Sequence, residues 1–260
     1  MEILSDMNFD KVLETNKLLI FEIGNSRLKI SDKDNLYLID YTNLILDKNN
    51  LLSIINQINK ILNKIEYSKI YYSSVNYKLS DYLACHIELN NINDLLPLSN
   101  IDFTEIEGMG IDRKLGLIAA NNEFSNNILT IDCGTAQTYN LLVNSKCLGG
   151  FITPGLNTRL NSIYTNTNIE KKDEDTFTFE LGKNTKSAIN NGVFLGLIAE
   201  IKDLILKVQN ENNVIFDIVL TGGNSKLIYN SLINNDFSLI LRPELVIDGI
   251  KVLLFKKYDK

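Results

Sequence analysis

Two short segments of the chain share one local pattern. At Glu22-Ile23-Gly24-Asn25-Ser26 and at Asp132-Cys133-Gly134-Thr135-Ala136, an apolar run ends in a carboxylate, one further residue and a glycine, with the two acids 110 positions apart. A glycine at a hairpin turn leaves room for backbone amides to approach a phosphate. The carboxylate cannot bind phosphate directly and must act through a cation or a water. Used together, two such turns would grip a polyphosphate and its metal; taken singly, each is also an ordinary hairpin glycine. A third segment, Gly110-Ile111-Asp112-Arg113, sets an acid beside a cation just after Gly108-Met109-Gly110. Asp112 could accept a proton from a hydroxyl while Arg113 neutralises an anion, as phosphoryl transfer requires. The competing reading of Asp112 is helix capping.

The elements that must position these residues form a repeated order. Residues 1–16 are weakly patterned and read as an extension or a fraying helix. Short apolar or alternating runs at 17–23, 28–31 and 36–39 read as a three-stranded meander, and residues 128–132, 136–143 and 147–152 repeat that order of strand and polar turn. Leu51, Ile54, Ile55, Ile58, Ile61 and Leu62 fall at helical spacing, so an amphipathic helix covers one sheet face. A strand at 70–75, a short helix at 79–86, a loop over 90–100 around Pro97 and a helix at 112–120 complete the first half. After the second meander come a long helix from Thr185 to about Val208, a strand at 214–221 ending in Thr221-Gly222-Gly223, a helix from Asn224, a short strand at 238–241 and a helix at 245–255. Two acidic turns at equivalent points of two meanders imply a duplicated α/β domain. The boundaries expected are 1–16 for the extension, 17–113 for the first lobe and 114–260 for the second.

Composition removes other classes. The chain has 260 residues, 45% hydrophobic and 22% charged, enough for a proper core and against disorder. Lys and Arg number 26 against 32 Asp and Glu, a net charge of −6 without a basic block, which argues against nucleic-acid binding. Cys85, Cys133 and Cys147 have no C-x-x-C spacing and His86 is the sole histidine, so no structural zinc site is expected, and a reducing cytoplasm is the simplest compartment. No uncharged apolar run reaches membrane-spanning length and no signal peptide is evident.

Taken in order, six segments resemble the type III pantothenate kinases. They are Glu22-Ile-Gly-Asn-Ser-Arg-Leu-Lys29, Gly110-Ile-Asp-Arg113, Asp132-Cys-Gly-Thr-Ala-Gln-Thr138, Gly149-Gly-Phe-Ile-Thr-Pro-Gly155, Asn184-Thr185 and Thr221-Gly-Gly223. The resemblance implies two duplicated ribonuclease-H-like (actin-like ATPase) domains with a nucleotide cleft between them. It implies phosphorylation of pantothenate by ATP with Mg2+, a monovalent cation (K+ or NH4+) and a homodimer. Carried across, Glu22, Ile23, Gly24, Asn25, Ser26, Arg27, Leu28 and Lys29 form the first phosphate loop, and Thr135 contacts the nucleotide. Asp112 is the proton acceptor, with Phe103, Gly110, Ile111, Arg113 and Thr185 on pantothenate, and Asp132 binds the monovalent cation. The family carries Asp where this chain has Glu22, which moves the carboxylate by about 1.5 Å, one carbon–carbon bond. Two rivals follow: a non-catalytic relative that binds nucleotide or pantothenate as a regulator, and a kinase for another small alcohol.

Overall fold

A computed structural model describes residues 9–42, 44–124, 127–170 and 176–259. Helix α1 (Phe9–Asn16) leads into strands β1 (Leu18–Ile23), β2 (Arg27–Ser31) and β3 (Leu36–Asp40), an antiparallel meander. Helix α2 (Lys48–Leu62) then returns the chain to β4 (Lys69–Ser74), parallel to β1, and α3 (Tyr77–Ala84) leads to β5 (Asn90–Asn91), parallel to β4. The strand order is β3-β2-β1-β4-β5. Central β1 is buried on both faces apart from half-buried Glu22. Asp47 caps α2 by accepting from the Asn50 amide, and its Leu51, Ile54, Ile55 and Ile58 pack with Phe21 and Ile30. Each such side chain contributes about 1.5–3 kcal/mol when fully buried.

Residues 90–100 are not the expected loop. They hold β5 and a 3-10 helix (Ile92–Leu98) that buries Ile92 and Leu95. Helix α4 (Ile111–Glu123) follows.

The second half repeats the topology. Strands β6 (Asn127–Cys133), β7 (Ala136–Val143) and β8 (Lys146–Pro154) form the meander. Helices α5 (Leu156–Asn166) and α6 (Thr185–Asn212) precede β9 (Asp217–Thr221), parallel to β6, and α7 (Ser225–Leu232) precedes β10 (Leu239–Leu241), parallel to β9. The order β8-β7-β6-β9-β10 matches the first sheet strand for strand and direction for direction. Its core joins Leu129, Ile131 and Tyr139 to Phe194, Leu197 and Ile201 of α6. Helix α5 has no counterpart among the elements read from the sequence.

The last helix, α8 (Leu245–Tyr258), packs on α4, and a Cβ at Gly249 would overlap the Leu115 carbonyl. The contacts therefore group Met1–Glu123 with Leu245–Lys260 as one unit and Phe124–Glu244 as the other, where the sequence reading drew its boundary after Arg113. Residues 1–8 of the expected extension lie outside the described residues. The rest is α1, anchored by buried Leu13 and by Phe9, whose ring lies edge-on to Phe255 at 5.4 Å.

Candidate active site

The first turn connects β1 to β2. Its backbone is closed by the Gly24 amide on the Arg27 carbonyl at 2.9 Å. The end of β3 supports it from the side: the Tyr41 hydroxyl donates to the Gly24 carbonyl at 2.6 Å and the Tyr41 amide to the Ser26 carbonyl at 2.9 Å. Burial, and then the charge of Glu22, push the Tyr41 phenol up, so it remains a donor. Arg27 pairs with Asp40 at 2.9 Å on the exposed side. Glu22 and Lys29 are direct cross-strand partners, with the ammonium 2.8 Å from the carboxylate and both side chains under a fifth exposed. Ile23 and Leu28 are core residues beneath the turn, whereas Asn25 is exposed. Of the eight loop residues named from the sequence, Ile23 and Leu28 therefore reach a ligand only through their backbones. Tyr41 was not among the named residues, and nothing in its local sequence marks it. Removing its hydroxyl (Tyr41→Phe) is expected to lower stability by about 1 kcal/mol, read as a fall in denaturation midpoint.

Asp112 lies at the same end of the first sheet as this turn. Strands β1 and β4 are parallel and end together, Ile23 opposite Ser74, and the Val75 amide donates to the Ile23 carbonyl at 3.0 Å. Gly110 sits against Val75 and Asp112, where an added Cβ would come within 2.6 Å of Asp112 Oδ1. Asp112 is the second residue of α4, inside the helix and not at its cap, and Oδ1 accepts from the Arg113 amide at 2.8 Å. Burial raises its carboxyl above the ordinary value, opposed by the Arg113 amide and the Arg113 charge. A carboxylate made more basic by burial, yet kept at a helix N-terminus, is suited to accept a proton. Phe103 is half-buried under the Lys114 ammonium, 5.4 Å from its ring centroid, so it faces the same helix start. Ile111 is buried and contributes through its backbone.

In the second unit, Asp132 at the end of β6 lies opposite Thr221 of parallel β9. Gly222 has φ of +85°, and a Cβ there would overlap Asp132 Oδ1, so the turn after β9 is pressed onto the carboxylate. A Cβ at Gly134 would stand 3.1 Å from that oxygen. Gly24 and Gly134 are not among the positive-φ glycines, which are Gly108, Gly149 and Gly222 among the described residues. Their contribution is an absent side chain, not a special conformation. Thr135 is exposed, and its carbonyl is held by the Gly155 amide at 3.0 Å and the Thr158 hydroxyl at 2.6 Å. Thr185 is the first residue of α6 and exposed, with Asn184 and Ser187 forming a reciprocal cap around it. Along the helix it stands about 22 Å from Glu200, where α6 meets the strands of this turn.

Each turn offers glycine-walled space beside a hard oxygen donor, which fits a nucleotide bringing Mg2+ on its phosphates. No group of three or more His, Cys, Asp or Glu converges among the described residues. Mg2+ commonly uses one or two carboxylates plus substrate phosphates, so a single carboxylate such as Glu22 suits it.

Duplicated sheets, each with an acidic turn at its first strand, define an α/β protein of the actin-like ATPase fold. MreB5 of Spiroplasma citri, solved with ADP, superposes with a TM-score of 0.50 at 9% identity over 90% of this chain and 95% of its own. A conserved Campylobacter jejuni protein described as a Baf family transcriptional activator gives 0.63 at 24% identity, covering 93% of this chain and all of that one. The type III pantothenate kinase family model matches residues 18–207, and the chain belongs to that family. The type III pantothenate kinase of Sulfurihydrogenibium sp. is 34% identical over 181 residues, 66% of this chain and 71% of the relative. That of Lawsonia intracellularis is 29% identical over 262 residues, covering 90% and 94%.

Proposed function

We propose that this chain transfers the γ-phosphoryl group of ATP to the primary hydroxyl of pantothenate, giving 4'-phosphopantothenate in the first step of coenzyme A synthesis. The observation that carries this reading is Asp112, its basicity raised by burial, at the same sheet end as the Glu22–Lys29 turn. Asp112 orients the hydroxyl and takes its proton, while Arg113 and Gly110 hold the rest of pantothenate beside Phe103. Lys29, Thr135 and the turn amides bind the phosphates. Bound Mg2+ supplies charge neutralisation on the phosphates, with Glu22 as the protein carboxylate nearest that task. Because the transition state is loose, positioning and charge carry more of the rate than full deprotonation. Transfer of labelled γ-phosphate to pantothenate, compared with glycerol and simple sugars, tests the acceptor. Equal transfer to glycerol would point to a different small alcohol.

Asp132, boxed in by Gly134 and Gly222, is the residue for a potassium or ammonium ion. Asp132→Ala should abolish the stimulation of turnover by potassium, and an unchanged potassium response would remove that assignment.

A homodimer is supported by edge strand β8, which exposes Leu148, Phe151 and Ile152. A single monomer peak in sedimentation velocity at assay concentrations would remove it. A cytoplasmic location fits the three free cysteines, and among the described residues no helix is long and apolar enough to cross a membrane.

The Glu22–Lys29 pair favours one second reading, a regulator that binds without turnover, because it occupies the lysine the phosphates would use. Glu22→Asp separates the two. The kinase reading expects kcat to change by less than about ten-fold; an inert parent made active by Glu22→Asp would favour the regulator.

A further inference from the structure

The turn between β6 and β7 is held from outside by one carboxylate. Both donors to the Thr135 carbonyl, the Gly155 amide and the Thr158 hydroxyl, sit at the start of α5. A Cβ on Gly155 would lie 2.8 Å from that carbonyl oxygen, so the turn and the helix start touch backbone to backbone. The helix begins without a side-chain cap. It also carries Arg159 at the end of its first turn, a cation at the positive end of a helix dipole. Arg159 stays because its partners hold it. Its Nε donates to the Pro154 carbonyl at 2.7 Å, and its Nη2 donates to Thr153 Oγ1 at 3.1 Å and to Glu200 Oε2 at 2.7 Å. Glu200, midway along α6, also accepts at Oε1 from the Thr153 hydroxyl at 2.9 Å and the Tyr139 hydroxyl at 3.1 Å. The pair is about a quarter exposed. Burial, and then the Glu200 charge, keep the Tyr139 phenol protonated as a donor. One carboxylate thus gathers donors from β7, β8 and α5, and the last of these carries the two groups that grip Thr135.

We propose that Arg159 and Glu200 are positioning residues for the nucleotide: their ion pair fixes the start of α5 and, through Gly155 and Thr158, the setting of the Thr135 turn. The inference rests on the reading of that turn as a nucleotide contact. Affinity for ATP then depends on a charge that never touches it.

The test is calorimetric binding of ATP with Mg2+, together with steady-state KM values, for Glu200→Gln, Arg159→Lys, Glu200→Asp and Thr135→Asp. Glu200→Gln keeps the shape and loses the charge. It is expected to raise both the ATP dissociation constant and the KM for ATP about ten-fold, with the KM for pantothenate within about two-fold of the parent. Glu200→Asp should recover part of the loss. A pair that is merely structural would lower the melting temperature and leave ATP affinity unchanged in both Glu200→Gln and Arg159→Lys, which overturns the proposal. Arg159→Lys carries the test alone should Glu200→Gln not fold. Thr135→Asp places a charge against the phosphates. If it weakens ATP binding and Glu200→Gln does not, the positioning role fails while the nucleotide contact stands. If Thr135→Asp leaves ATP binding intact, the contact fails and the positioning role with it.

Discussion

Asp112→Asn is expected to lower kcat by about 10²–10⁴-fold, the usual range for a lost general base, with little change in ATP affinity. The substitution keeps the size of the side chain and an acceptor for the Arg113 amide, so the start of α4 should survive. It should also stabilise the fold at neutral pH. Burial raises the Asp112 carboxyl above its ordinary value, so ionisation is harder in the folded chain than in the unfolded one. As pH rises from below the unfolded value through the folded one, the native state loses stability that Asn would keep. The gain in melting temperature should therefore be full at neutral pH and vanish in acid, below the unfolded carboxyl's titration. Thermal melts of the two proteins across pH, run beside kcat, check both halves. Near-normal turnover would remove Asp112 from its role.

Gly222→Ala is expected to damage the turn that holds Asp132 severely. At φ of +85° an L side chain costs about 1–3 kcal/mol of strain. The new Cβ would also overlap Asp132 Oδ1 and crowd the Cys133 backbone at 3.1 Å. The methyl cannot move, because the Gly222 amide and the Thr221 hydroxyl are both tied to the Pro243 carbonyl, at 3.4 and 3.1 Å. The Asp132 carboxylate must yield instead. A displacement of about 1 Å can cost on the order of 10²-fold in rate, so kcat should fall at least ten-fold and the potassium response should flatten. Potassium titrations of activity and a denaturation midpoint measure the two effects. A variant with the parent's potassium response would show that Asp132 tolerates the intrusion and is not held there for a cation.

The meanders were legible because β1 is an apolar run and β6 one broken only by Thr130 after its first residue, each closed by an acid and a glycine, and a buried strand cannot tolerate much else. Asp112 was legible as chemistry, though whether it capped α4 was not: its place inside the first turn depends on Gly110 packing against Val75, a contact 35 residues away in sequence. Helix α5 escaped because only Leu156 and Leu160 are buried in a stretch otherwise rich in Asn, Thr and Ser, too thin a stripe for periodicity. Two-residue β5 spans a single strand repeat, too short to show alternation. The unit to which α8 belongs was not legible either, since a helix with Leu245, Val246, Ile247, Ile250 and Leu253 buried shows no single face from which to infer its partner. Tyr41 and Glu200 were invisible for a related reason: each acts on a turn through a hydrogen bond or ion pair that only the folded chain creates. Spacing in a sequence marks residues that meet a ligand together, and says little of those that hold them still.

The net charge of −6 means that ATP is not drawn in by the protein's overall field. Under the proposed function, attraction comes from turn amides, Lys29, Arg113 and bound cations, and the lysine is shared with the Glu22 carboxylate. The most direct measurement is ADP release by the purified chain with ATP, Mg2+ and potassium, in the presence and absence of pantothenate. The account predicts steady turnover that requires pantothenate. ATP binding with no pantothenate-dependent release would contradict it.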